Sequence, residues 1–267
     1  MQKSKLLVAV LGALCAMPVM AADAPAAAPA SPHTVTSNVG LISNYVFRGI
    51  TQTSGAPAIQ GGMDYAHASG FYAGLWGSNV SWIVDSGVTA SGSASLELDT
   101  YLGFKKSIND DMGYDVGYIR YNYLGNYTPS ATAAFADTAE IYAAFSYKFL
   151  TAKYSYSVLN QFLTVADEKG TDYLELNASY TIPDTSFTLI GHYGKQTYKS
   201  AAATTASATG TATYTDYKVG VAKDFSGYVL TAAYTSTDTK DGGFYTYNSN
   251  GGNWGKAAVA VSLTHAF

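Results

Sequence analysis

Few residues in this sequence have the types and spacing that catalysis or metal binding requires. The four histidines, His33, His67, His192 and His265, lie far apart along the chain and share no metal-ligand spacing. His192 and a serine could form the pair that acyl hydrolysis needs, but no serine stands in a hydrolase signature. We therefore expect neither a metal nor a cofactor.

Carboxylates offer a second kind of chemistry. Glu97 and Asp99 stand two residues apart, and Glu140 follows in a later segment. Carboxylates gathered at the outer ends of strands could form a hydrolase site, whereas the same groups along a water-filled passage would attract cations. The hydrolase alternative stays open, but the pattern favours a protein that is not an enzyme.

The composition narrows the class of protein. Of the 267 residues only 13% are charged, about half the share of an ordinary soluble domain. Tyrosine occurs 23 times, and tyrosine, threonine, serine, glycine and alanine recur in short alternating runs. The formal net charge is −4, so the chain has no basic surface for nucleic acid.

The N-terminal residues resemble an export signal. Lys3 and Lys5 precede an apolar run, Leu6 to Met17, that is too short to span a bilayer. We predict a signal peptide over 1–21, which contains Cys15, the single cysteine. Residues 22–36 are rich in alanine and proline and are predicted to form a flexible periplasmic tether before a single domain over 37–267.

Period-two alternation divides that domain into strands. Leu96, Leu98 and Leu102 share one face of a segment, and Glu97 and Asp99 share the other. Such strands meet lipid on one side and water on the other, at about ten residues each. We predict twelve strands: 37–48, 58–66, 71–82, 95–106, 113–123, 137–148, 151–159, 171–182, 186–198, 214–224, 227–237 and 256–267.

The connections between these segments alternate between long and short. This is typical of an up-and-down antiparallel transmembrane β-barrel, in which short turns face the periplasm and long loops face outward. The sequence therefore predicts an all-β outer-membrane barrel with both termini in the periplasm. The last strand ends on Phe267 and resembles the signal by which the barrel-assembly machinery recognises its substrates.

Two stretches resemble a known family. These are SNVGLISNYVFRGITQT, from residue 37, and PAIQGGMDYAHASGFYAGLWGSNVSW, from residue 57. Together with ELDTYLGF and DVGYIRYNYLGN, they resemble the TorF-like family of bacterial outer-membrane porins. The resemblance implies a porin-type channel in the bacterial outer membrane and implies no particular solute.

Charged residues on the inward faces are the candidates for selectivity, because a charge facing lipid is costly. We expect the following residues to line the lumen: Arg48, Glu97, Asp99, Arg120, Glu140 and Glu175. If Lys106 faces Gly113, Asp99 lies opposite Arg120, and a similar register would place Glu140 on its other side. We therefore predict an ion-pair cluster around Arg120.

The function predicted from these features is passive diffusion of small hydrophilic solutes or ions, with a weak preference for cations. The partners would be outer-membrane lipid and the assembly machinery, and an oligomer is compatible with the pattern. Two alternatives stay open: a barrel closed by its own salt bridges, with a structural role, and a hydrolase site at its rim.

Overall fold

The computed structural model describes residues 31–200, 211–246 and 252–267, and these form a closed barrel of twelve antiparallel strands. In chain order the barrel strands are β1 (His33–Ile42), β4 (Ala58–His67), β5 (Phe71–Asn79), β6 (Thr89–Ser107), β7 (Met112–Pro129), β8 (Thr138–Tyr147), β9 (Leu150–Ser157), β12 (Asp172–Thr181), β13 (Phe187–Thr197), β14 (Tyr214–Phe225), β15 (Tyr228–Thr237) and β16 (Ala258–Ala266). Each pairs with its neighbours in sequence, and β1 closes the ring against β16. The predicted up-and-down barrel is confirmed.

Among the residues that the structure describes, short elements lie in three of the long connections. Strands β2 (Val46–Phe47) and β3 (Ile50–Thr51) form one hairpin, and β10 (Gln161–Phe162) and β11 (Val165–Ala166) form another. A four-residue helix, α1 (Trp82–Asp85), follows β5. Within the described residues, no helix is long and apolar enough to cross a membrane.

The connections alternate as predicted. Short turns join the strands at one end of the barrel, here called the turn end, and the long connections gather at the other, here called the loop end. The short turns are 68–70, 108–111, 148–149, 182–186 and 226–227, and the long connections are 43–57, 80–88, 130–137, 158–171, 198–213 and 238–257. Antiparallel strands can be joined by only a few residues, and five short hairpins connect the strands at the turn end.

The first strand differs from its prediction. It covers His33–Ile42 rather than 37–48, because its ladder with β4 runs from His33↔His67 to Ile42↔Ala58. The alternation that predicted a strand up to residue 48 continues into the β2–β3 hairpin, which leaves the wall. The predicted signal peptide, 1–21, lies outside the described residues, as does most of the predicted tether, 22–36.

Side chains alternate across the wall as the sequence predicts. On β12, Leu174 and Leu176 are exposed on the outside, whereas Tyr173 and Glu175 are buried on the inside. Small inward residues make room for larger neighbours: a β-carbon on Gly103 would lie 2.5 Å from Cζ of Tyr72. The barrel thus presents an apolar outer surface and a polar, aromatic interior.

Candidate lumenal site

The β2–β3 hairpin turns sharply at its tip. Arg48 and Gly49 are its two central residues, with φ angles of +46° and +77°. Positive φ at both positions is the geometry of a type I′ turn, which suits two-residue hairpins and usually requires glycine at the second position. The sequence Val46-Phe47-Arg48-Gly49-Ile50 fits this turn, which places an arginine in a left-handed conformation at the tip.

Arg48 is held by the far wall of the barrel. Its two terminal nitrogens donate to the two oxygens of Glu140, at 2.9 and 2.7 Å, and Nη1 also donates to Gln196 at 2.9 Å. The side chains of Arg48 and Glu140 are 7% and 1% exposed. This is the two-pronged geometry that arginine forms with a carboxylate, in a setting sheltered from water.

Aromatic rings and a backbone contact complete this attachment. The guanidinium carbon lies 4.2 Å from the ring centroid of Tyr173 and 4.8 Å from that of Phe47. The hydroxyl of Tyr214 donates to the carbonyl oxygen of Arg48 at 2.8 Å. The tip is therefore fixed through both its side chain and its main chain.

The hairpin consequently crosses the bore. It leaves the wall between β1 and β4, whereas Glu140 lies on β8 and Gln196 on β13. Around the ring, β8 and β13 are separated by two strands, β9 and β12, which lie opposite β1 and β4. A segment that starts on one wall and is bound to the opposite one must narrow the passage between them.

Buried aromatic residues surround the hairpin at the loop end. Tyr45 and Phe47 from the hairpin segment belong to a cluster that also includes Trp76, Trp82, Tyr121, Tyr123, Tyr214 and Trp254. Tyr45 packs edge-on against Trp76 and Phe47 against Tyr121, each with ring centroids 5.6 Å apart. The hairpin is part of a packed core inside the barrel and not a loop on its surface.

A second network links the interior faces of β12, β13 and β14. His192 contacts Asp216 at 2.9 Å and Asn177 at 2.7 Å, and the Tyr173 hydroxyl donates to Asp216 at 2.8 Å. Asn177 in turn donates to Glu175 at 2.8 Å. Within the described part of the chain the hydrogen-bond partners of His192 are Tyr173, Asn177 and Asp216, so His192 belongs to an interior polar network.

Glu97 and Asp99 lie on the inside of β6, as predicted. Glu97 pairs with Ser78 and Tyr123 across the two neighbouring strands, and Asp99 pairs with Trp76 and Tyr121. The carboxylates are 1% and 2% exposed. With Glu140 also buried inside, these groups do not form an open site at the rim.

The predicted place of Arg120 is wrong. Ser107, not Lys106, faces Gly113, so Arg120 pairs with Thr100 on β6 and Ala139 on β8, and Asp99 and Glu140 pair elsewhere. A shift of one residue moves a side chain to the other face of the sheet. Arg120 therefore lies on the outside of the barrel, where it contacts Asp137 at 3.4 Å with 41% of its side chain exposed.

The remaining selectivity candidates do lie inside. Glu175 faces the lumen with Lys153, their charged atoms 4.0 Å apart. Gln196 and Tyr173 could not be predicted as partners of Arg48, because nothing in a strand pattern shows which wall a loop will contact. Within the described ranges, no group of three or more histidine, cysteine, aspartate or glutamate residues could hold a metal ion.

Charge is distributed unevenly over the interior. Apart from Asp224 at a turn, the described strands and the hairpin carry seven inward carboxylates (Asp64, Glu97, Asp99, Asp115, Glu140, Glu175 and Asp216) against four cations (Arg48, Lys105, Lys153 and Lys218), a formal excess of three negative charges. The inward positions of β15, β16 and β1 carry no charge and are mostly small residues. One side of the bore is thus charged and aromatic, and the other is small and neutral.

The fold and this interior define a closed twelve-stranded β-barrel with an apolar outside and a polar inside. The chain belongs to the family described as "Bacterial protein of unknown function (Gcw_chp)", which matches residues 26–267. That description names no activity, so the resemblance to TorF-like porins stays a prediction. No curated protein sequence matches the chain.

The chain is similar to solved structures at low sequence identity. The KdgM porin is 7% identical, with a TM-score of 0.50 over 88% of this chain and 99% of that one. The P. putida toluene transporter TodX is 10% identical, with a TM-score of 0.45 over 90% of each chain. The likeness to KdgM shows the fold.

Proposed function

We propose that the protein is a channel of the bacterial outer membrane for small hydrophilic solutes or ions. The observation that carries this proposal is the closed barrel with an apolar outside and a polar interior of net negative charge. Large apolar side chains are exposed all round the wall, among them Leu41, Leu75, Leu176, Val219 and Val261. An apolar outer surface of this kind is suited to contact with the lipid of a membrane.

The inserted hairpin supplies the constriction of this channel. Arg48 and Glu140 join opposite walls, so solutes must pass beside the hairpin. The neutral wall of β15, β16 and β1 offers the small side chains along which a passage would run. The proposed pathway is therefore off-centre and narrow, which suits ions and small molecules better than large ones.

Cations would pass more readily than anions. The excess of carboxylates over cationic groups along the interior lowers the energy of a cation there and raises that of an anion. Because Arg48, Lys105, Lys153 and Lys218 offset part of this charge, the preference is expected to be weak.

Single-channel recording in a planar lipid bilayer tests the proposal. The purified protein should produce discrete conductance steps, and a salt gradient should give a reversal potential of the sign that indicates cation selectivity. A folded, inserted protein that gives no steps would refute the channel, and an anion-selective potential would refute the charge argument.

A second candidate is a barrel that does not conduct. The observation in its favour is the packed aromatic cluster at the loop end, in which Trp76, Trp82 and Trp254 are almost fully buried. Such a core could close the mouth and leave the protein a structural role. The same recording separates the two candidates, because this one predicts insertion without current.

A further inference from the structure

Glu97 and Asp99 form a pair of buried carboxylates on one strand. Alternate residues of a strand lie about 6.7 Å apart at their α-carbons. Both side chains therefore project from β6 into the same part of the interior, next to Trp76 and Tyr123. Tyr45 covers this place from the hairpin segment.

Few hydrogen-bond donors reach these carboxylates among the residues that the structure describes. The Tyr45 and Tyr123 hydroxyls approach Glu97, and one oxygen of each carboxylate has no donor in hydrogen-bonding geometry. Glu97 accepts a hydrogen bond from Tyr123 through Oε1, at 3.4 Å, and the buried oxygens without such a donor are its Oε2 and the Oδ1 of Asp99. Neither carboxylate has an ion-pair partner among the residues that the structure describes. An ionised carboxylate buried without a counter-charge costs several kcal/mol.

The nearest interior cations are engaged elsewhere. Arg48 uses both of its terminal nitrogens on Glu140, which itself adds negative charge near Asp99. Lys105 lies further along β6 and faces Asp115 and Asp64. Burial and the neighbouring charges of Glu97 and Asp99 raise the pKa of Tyr45, so its hydroxyl stays protonated and adds no negative charge there.

We propose that Glu97 and Asp99 together bind a cation inside the barrel, beneath the hairpin. Carboxylate oxygens are hard ligands, so the cation would be of the class of calcium, sodium or potassium and not a thiol-seeking metal. Water would complete its coordination. The site lies apart from the passage proposed along β15, β16 and β1, and binding there does not require conduction.

Terbium is a suitable probe, because it seeks oxygen ligands as calcium does and emits when nearby aromatic rings are excited. Trp76, Tyr45 and Tyr123 surround the site and would transfer energy to it. We expect sensitised terbium emission from the folded protein, which excess calcium reduces. The double variant Glu97→Gln/Asp99→Asn should lose most of this emission.

Asp241→Asn, at an exposed residue of the connection after β15, is the matched control and should retain the emission. If the double variant fails to fold, the single variant Asp99→Asn should lower the terbium emission at least several-fold. Absent emission from the native protein, or equal emission from the variants, would overturn the site; the carboxyl groups would then be protonated or bridged by water. Emission without bilayer current would refute the proposed channel and leave the site standing.

Discussion

The contact between Arg48 and Glu140 is expected to fix the hairpin across the bore, and a double-mutant cycle measures its strength. Glu140→Gln leaves a buried guanidinium without its counter-charge, and Arg48→Met leaves a buried carboxylate. Because the two side chains are only 7% and 1% exposed, removing either partner should cost about 3–5 kcal/mol. The double variant removes both charges together and should be much closer to the native protein.

The two effects should therefore not add. We expect a coupling energy of about 2 kcal/mol or more, within the range of directly contacting groups. Urea unfolding of the barrel in lipid vesicles, followed by tryptophan fluorescence, gives the four free energies. The hairpin places Phe47 near Tyr121, and Trp76 beside Tyr45, so its release should also change the fluorescence of the folded state.

A matched cycle on Arg120 and Asp137 is the control. This pair is exposed to 41% and 33%, and a surface ion pair of this kind contributes about 0–1 kcal/mol. For independent sites, the losses of unfolding free energy in two single variants sum to that of the double variant within about 0.5 kcal/mol. If the Arg48 and Glu140 variants behave in this way, the hairpin is not bound to the far wall as described.

Three further predictions concern the two faces of the wall and its last residue. Arg120→Ala should leave the reversal potential unchanged, because this side chain lies outside the barrel; a clear shift in planar-bilayer recordings would contradict that placement. Val261→Arg places a charge on the lipid face and should lower the free energy of unfolding in vesicles by about 2–4 kcal/mol. Ser262→Arg, one residue further along and facing inward, should fold and weaken the cation preference. Equal losses of unfolding free energy in the two variants would refute the assigned faces. Deleting Phe267, whose side chain is 71% exposed, should reduce assembly in cells far more than the unfolding free energy of the purified barrel, and equal membrane yields would refute an assembly role.

Much of the barrel could be predicted from the sequence, because apolar and polar residues alternate along each strand and so mark its outer and inner faces. Leu174 and Leu176 alternate with Tyr173 and Glu175, and the structure places the first pair outside and the second inside. The alternation of long and short connections then fixed the number of strands. Both features are local, and each can be recognised without knowing which strands are neighbours.

The site could be predicted only in part, because it depends on register and on the path of a loop. The pairing of β6 with β7 differs by one residue from the expected one, and this moves Arg120 to the opposite face. Arg48 was expected in the lumen, but at the end of a strand. Only the Arg48-Gly49 pair between Phe47 and Ile50 hints at a tight turn, and nothing local indicates that the hairpin bends inward.

The central claim is that the hairpin is the constriction of a conducting barrel. Its most direct test is the single-channel conductance of a variant in which Val46–Thr51 is replaced by a short glycine-serine linker, recorded beside the native protein. Heat-dependent gel migration shows that the variant is folded before it is measured. We predict a larger conductance with cation preference retained, because the carboxylates remain on the wall. An unchanged conductance would show that the hairpin does not limit the passage and would contradict the claim.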